Sequence, residues 1–467
     1  MFVLRERYDV VIVGSGPAGL ATAFYLKDHI PEMIRSKEVK VCILDKTTYP
    51  SGGLINDGKM NLTPHIGFDD FSSGRVDEAT AWQHINYFED IICRHCDAPI
   101  SGIDEVRIAY WNEECSKHGI KLVTETRQRH IGTDRSKQLI RGMRKELEDA
   151  GIEFRLGHAV QEFWRDNNNN FTSAIKSTDG DYSIHCKYLV VAPGRLGTKW
   201  FRKRLDAIKA QYKLAPIEIG VRIEMLYEDY PIAFDIRDPK LKVQMPNGDV
   251  VKTFCTNPRG RIRFDMPEQA IQYKGEDYQM INGDGLRDPE QQTKNTNFAI
   301  LNKVALIDPE GDTEEYAKYL AINTLRTGDW KPLVQRLGHF FDNRRSKPKH
   351  FGNPGEKVQS TLVDDEGQLH TVTPGDINIA FFARTATNIK QMIETLARVM
   401  PQVKNYENLI YAPEIKFQNV QVEVTPTLET TVRNLYVAGN GAGLSSGIVG
   451  AASNGILVAK GILEKLG

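Results

Sequence analysis

The chain has 467 residues, too many for one simple core and enough for two domains or for one nucleotide-binding domain with a large insertion. Its 60 Lys and Arg balance 61 Asp and Glu, so a net charge of −1 supplies no global field for nucleic acid or an anionic membrane, and any anion must be held locally. The 6 cysteines are scattered and do not form a disulfide framework, which fits a reducing, cytoplasmic setting, and no apolar run approaches the roughly twenty residues of a membrane helix.

In chain order, Tyr8-Asp-Val-Val-Ile-Val13 reads as an apolar strand running into Gly14-x-Gly16-x-x-Gly19 and then an apolar helix from Pro17 to about Ile30. In that setting Gly14 allows a tight turn, Gly16 lets a backbone approach a pyrophosphate, and Gly19 lets the helix pack on the sheet. The helix N-terminus, at Pro17 and Ala18, brings a partial positive charge and N–H groups to the phosphates. A polar excursion over 31–38 precedes a second strand, Val39 to Leu44, which ends in Asp45 with Lys46 beside it. An acid there meets the ribose hydroxyls of an adenosine and speaks against a 2′-phosphate. The glycine-rich loop Tyr49 to Asn61 has no regular period, as ligand loops at a sheet's carboxyl edge often do not.

Residues 74–97 are helical in pattern, and Thr133 to Asp149 forms a helix stopped at Gly151. The strand Ile152 to Leu156, a hairpin from Val160 to Ile184 turned at 166–170 and 179–180, and the apolar strand Tyr188 to Ala192 follow. From about 215 to 410 the pattern changes to strands such as Ile217 to Glu224, long polar loops and a helix near Glu314 to Leu325. The first pattern returns at Asn434 to Gly443, a strand and glycine turn, before a terminal helix from about Ile448 to Leu463. The expected fold class is α/β: a Rossmann-like domain in two parts, 1–214 and 411–467, interrupted by an inserted α+β substrate or cap domain, 215–410.

Four elements far apart in sequence make sense together. The first glycine turn suits a pyrophosphate, the Val160 strand an adenine edge, and Ala192-Pro-Gly194 and Gly439-Asn440-Gly441 two further close backbone approaches. NAD would explain the first and leave the last without a purpose, whereas FAD is long enough to touch all four. The terminal helix, with Gly450 in its first turn, would then face the pyrimidine end of the flavin.

Asn56-Asp-Gly-Lys-Met-Asn-Leu-Thr-Pro64, His130-Ile-Gly-Thr-Asp-Arg135, Val191-Ala-Pro-Gly-Arg195, Ile219-Gly-Val-Arg-Ile-Glu224, Arg344-Arg-Ser346 and Glu414-Ile-Lys-Phe417 resemble the uncharacterised FAD-dependent dehydrogenases of bacteria and archaea. The resemblance covers nearly the whole chain. It implies a glutathione-reductase-type FAD domain and places Ser51, Gly52, Gly53, Lys59 and Asn61 beside FAD. The family has Gly-Asp-Gly where this chain has Gly439-Asn440-Gly441. The Asn carbonyl can still accept from a ribityl hydroxyl, with a weaker bond than a carboxylate.

Lys59, His130, Arg345 and Lys416 are the catalytic candidates. His130 reads either as a proton donor near the flavin or as a residue ordering the entry to the helix at Thr133, and His65 is a further candidate. Arg344-Arg345 reads as a clamp for a substrate carboxylate or phosphate, or as a solvated loop. Glu414 and Lys416 share one strand face and form either a buried ion pair or a site with a catalytic lysine. Cys93-x-x-Cys96 has dithiol spacing but lies in a helical pattern without a second pair for zinc, and no histidine has metal-ligand spacing. The expected function is an FAD-dependent oxidoreductase moving a hydride equivalent between a small organic substrate and flavin N5. Amine or amino-acid C–N oxidation and a nucleic-acid-modifying flavoprotein are the alternatives. FAD is expected to be noncovalent, with NAD(P)H left open as a transient electron donor.

Overall fold

The computed structural model describes the chain except residues 1–2, 50–53, 55–58, 98–99, 101–103, 125–126, 132, 237, 266–269, 287–288, 305–311 and 417–419. The side chains of 3–5, 59, 130 and 133–135 also lie outside the description. The chain divides into two compact units, one of Met1–Ile103, Glu125–Ala215 and Asn419–Gly467, the other of Asp104–Thr124 and Pro216–Gln418.

The first unit is built on a 7-stranded sheet. Val3–Val13 sits between Val41–Asp45 and Tyr182–Val191, parallel to both, and Glu153–Leu156 extends the parallel set beyond Val41–Asp45. Val10, Val11, Ile12, Cys42, Ile43 and Leu44 are all buried, as central parallel strands covered on both faces require. Tyr188 to Ala192, read as a separate strand, is instead the end of one long strand, Tyr182–Val191. The first half of that strand pairs antiparallel with Phe171–Lys176, and its last residues pair parallel with Leu435–Val437. Helices Pro17–His29 and Ile448–Leu466 pack together at Gly455, where a Cβ would stand 2.1 Å from the Ala18 carbonyl oxygen. The helical pattern of 74–97 is the helix Glu78–His95, which the Asp77 carboxylate caps by accepting from Thr80 N, and a separate short helix, Asp69–Ser72, precedes it.

The second unit holds an 8-stranded sheet, with Ile217–Leu226 between Asn295–Val304 and Leu409–Lys416, antiparallel to both. Lys121–Val123 joins its far edge by pairing with Lys240–Lys242, so 104–124 goes with this unit and not with the chain's first part. Likewise 411–418 falls here, because the strand Leu409–Lys416 pairs with Ile217–Leu226. Ile217, Ile219, Val221, Ile223 and Met225 face a core closed by helices Thr313–Thr327 and Ala383–Ala397, while the alternate positions 220, 222 and 224 face the other way.

Candidate functional site

The first glycine turn is shaped by contacts that exclude side chains. Gly14 has φ +104°, a Cβ on it would lie 2.1 Å from the Ala192 carbonyl oxygen, and its N–H donates to Leu44 O (2.8 Å). A Cβ on Gly19 would lie 2.0 Å from Gly14 O, which fixes the close approach of helix and strand. Gly16 caps the helix with extended backbone, and Pro17 at its first position costs no hydrogen bond. Asp45 Oδ2 accepts from Ser15 N (2.9 Å) and Oγ (2.5 Å), and Oδ1 accepts from Thr47 N (2.9 Å) and Oγ1 (2.7 Å). The acid thus clamps the turn to the second strand through both of its oxygens. Lys46 is exposed, and Ser51, Gly52 and Gly53 lie outside the described residues. Val160 is nearly buried opposite Ile175 on the hairpin.

A second set of turns meets at the C-terminal end of the same sheet. Gly441 has no room for a Cβ, which would lie 2.2 Å from Gly194 O, whereas at Gly194 (φ +60°) the Cβ position is open. Gly439, at φ +81°, donates its N–H to Asn454 Oδ1 (2.8 Å). Asn440 donates Nδ2 to Ser445 O (3.0 Å), which leaves its carbonyl oxygen as the acceptor. Ser445 is 1% exposed, yet its Oγ has no protein partner among the described residues. Gly450 lets the terminal helix approach the Gly67 loop, a Cβ there falling 1.9 Å from Gly67 O. An open position at Gly194, an orphaned hydroxyl at Ser445 and an uncapped helix start at Gly447 fit the ribityl chain and flavin ring of FAD.

Behind that turn lies a buried polar string that no sequence motif marks. Asp70, fully buried, accepts from Arg75 Nε (2.9 Å), Asn454 Nδ2 (2.7 Å) and Ser453 Oγ (3.2 Å). Ser453 Oγ also meets His84 Nδ1 (2.9 Å), and His84 Nε2 meets Lys460 Nζ (2.9 Å). Burial, and then Lys460, press the His84 pKa down to about 3, so its ring is neutral. Burial raises the Asp70 pKa, and its donors oppose the rise.

Two catalytic candidates come together in this unit. Lys59 and His130 are directly opposed in the short ladder of Lys59–Asn61 with Gln128–His130, where Gln128 Nε2 also donates to Asn61 Oδ1 (2.9 Å). His65 is exposed and packs edge-on to Phe71. Cys93 is exposed on the last turn of its helix, burial raises its thiol pKa, and Cys96 is buried just beyond. No cluster of metal ligands occurs among the described residues.

The other two candidates belong to the second unit. Arg345 is exposed, beside Arg344, which pairs with Asp342 (3.2 Å). The built arginine of that region is Arg336, which is 5% exposed and donates to His350 O, Val358 O and Glu407 O (3.0, 2.8 and 2.7 Å). Lys416 Nζ lies 3.1 Å from Glu414 Oε1, but the principal partner of Glu414 is Arg222, through Nε (2.6 Å) and Nη2 (2.7 Å). Arg222 and Glu414 are both 0% exposed, and Arg222 Nη1 donates to Asn297 Oδ1 (2.7 Å). Burial raises the Glu414 pKa, but Arg222 and Lys416 outweigh it and hold the group below its ordinary value. Arg222 was legible only as a charge interrupting an apolar strand.

Residues 7–221 match the family model described as FAD binding domain. Over 97% of its length the chain is 23% identical to an uncharacterised protein of Clostridium beijerinckii, of which the match covers 80%. Among solved structures, p-nitrophenol 4-monooxygenase from Pseudomonas putida aligns at 13% identity and a TM-score of 0.40, over 99% of this chain and 80% of that one. A flavoprotein/dehydrogenase from Cytophaga hutchinsonii aligns at 10% identity and a TM-score of 0.40, over 98% and 78%. No helix among the described residues is long and apolar enough to cross a membrane. The chain thus carries an FAD binding domain that spans its first glycine turn and the Ala192–Gly194 approach.

Proposed function

We propose that the chain moves a hydride equivalent between a small organic substrate and flavin N5, with FAD held noncovalently along a first unit of the glutathione-reductase type. The observation that carries this reading is the register of three strands. Val13 opposes Val191, and Val191 opposes Val437, so the turns at Gly14, Ala192–Gly194 and Gly439–Gly441 leave adjacent strands at one level of the sheet. Carboxyl ends of parallel strands are where such sheets bind ligands.

In this reading Gly14, Gly16, Pro17, Ala18 and Gly19 hold the pyrophosphate. Asp45, with Lys46 at its rim, holds the ribose, and Val160 and Ala192 border the adenosine. Gly194, Gly439 and Asn440 hold the ribityl chain, and Gly52, Gly53, Asn61 and Gly450 border the ring. When bound, FAD supplies the two-electron acceptor. The protein orients it, excludes water and places proton donors, for which Lys59 and His130 are candidates in the first unit. In the second unit Arg345 is the candidate for holding an anionic substrate and Lys416 the candidate catalytic lysine.

An anaerobic screen of the yellow protein tests the reading, with NADH, NADPH, amines, amino acids and unsaturated acids as arms and flavin absorbance as the readout. Rapid bleaching by an amine or amino acid supports C–N oxidation, and bleaching by a nicotinamide supports reduction of a second substrate. Flavin that dithionite reduces and no organic donor touches, together with salt-dependent RNA binding, would replace the oxidoreductase reading with a nucleic-acid one.

A further inference from the structure

The string behind the cofactor turn has a direction. Lys460 can only donate, so His84 Nε2 accepts and Nδ1 carries the ring proton toward Ser453 Oγ. The Ser453 hydroxyl proton is then left for Asp70 Oδ2, which also receives Asn454 Nδ2, while Oδ1 receives Arg75 Nε. Arg75 Nε, Ser453 Oγ and Asn454 Nδ2 thus converge on one carboxylate. Asn454 has two possible amide orientations, and an acceptor-only neighbour at position 70 selects the one with Nδ2 inward and Oδ1 on the Gly439 N–H. Gly439 is the residue at which the chain turns out of Leu435–Val437 toward Asn440, and its positive φ makes that turn dependent on the acceptor it meets.

We propose that Asp70 is a positioning residue for the cofactor: by orienting the Asn454 amide it sets the Gly439–Asn440 turn on which the flavin's ribityl chain rests. The proposal rests on the reading that FAD lies on that turn. Neither Asp70 nor Asn454 touches the cofactor in this scheme, and the effect passes through one backbone N–H.

The test is titration of flavin-stripped protein with FAD, followed by flavin fluorescence. Asp70→Asn puts a second amide donor against Asn454 or against Arg75, and Asn454→Asp puts two carboxylates face to face. Each is expected to weaken FAD binding by about tenfold or more, the effect of one unsatisfied buried polar group. The double variant exchanges carboxylate and carboxamide, restores a donor–acceptor pair and still offers oxygen to Gly439 N–H, so it should recover affinity to within about threefold of wild type. Glu224→Gln in the second unit alters an equally buried acid and should lower Tm without changing FAD affinity, which separates positioning from general destabilisation. Single variants that bind FAD as wild type does, or a double variant no better than the singles, overturn the proposal. If Gly441→Val binds FAD like wild type, the placement of FAD on this turn falls as well. If Gly441→Val loses FAD while Asp70→Asn keeps it, only the role of Asp70 falls.

Discussion

The two units bury charge in opposite ways. In the second, Arg222 and Glu414 meet through two hydrogen bonds, with Asn297 and the Cys255 carbonyl completing the guanidinium, so the group closes on itself inside a sheet. In the first, Asp70 gathers donors from Arg75, Ser453 and Asn454, and the set ends on a backbone N–H in the glycine turn at the ligand edge. A closed pair offsets its own desolvation and fixes one packing arrangement; an open string transmits its geometry to whatever sits on the turn. Disturbing the second unit's pair should therefore appear as lost stability, and disturbing the first unit's turn as lost cofactor.

The sharpest break is Gly441→Val. Its Cβ would overlap Gly194 O at 2.2 Å, so the two turns cannot stay together, and we expect protein without bound flavin, checked by absorbance after gel filtration. Next is Glu414→Gln, which leaves Arg222 buried with half its partners. Unfolding in urea should show a loss of about 3–5 kcal/mol with FAD stoichiometry unchanged. The sign with pH follows from a folded pKa held below the ordinary value. Glu414 stabilises the fold above the unfolded carboxyl pKa of about 4, and that stability is lost as pH falls through the lower folded pKa. Wild-type Tm should drop on acidification in that window, and the variant should follow a flatter curve.

Asp45→Ala removes the clamp on Ser15 together with the proposed ribose contact. A FAD Kd about tenfold weaker is expected in a fluorescence titration, well short of the loss from Gly441→Val. The smallest effect belongs to Asn440→Asp. FAD should stay bound and the flavin midpoint potential should fall by on the order of 30 mV, because an added carboxylate opposes reduction of a ring that gains negative charge. Spectroelectrochemistry reads it, and a raised potential with FAD bound would place Asn440 away from the flavin.

The first glycine turn and its acid were legible because their constraints are local: Gly14, Gly16, Gly19 and Asp45 follow from one strand–turn–helix–strand unit. The terminal turn was legible from its glycines for the same reason. The merging of Tyr188 to Ala192 into a longer strand was not, since the hairpin and the central strand have the same alternating or apolar pattern and only pairing partners tell them apart. Nor was Lys121–Val123, a three-residue strand whose place is decided by Lys240–Lys242 far along the chain. The Asp70 string was hidden most completely. Ser453 and Asp70 are 383 residues apart, and Asp70, His84 and Asn454 sit in helical stretches whose composition marks none of them. Arg222 and Glu414, 192 residues apart, showed as charges in apolar strands without showing that they meet.

The most direct measurement is the flavin stoichiometry of purified wild-type protein beside Gly441→Val, with the cofactor released by heat and identified by chromatography. One FAD per wild-type chain, released on denaturation, and none in the variant is the expected result. A folded wild-type protein that stays colourless and takes up no FAD, or a variant that retains it fully, would contradict the placement of one FAD across these three turns.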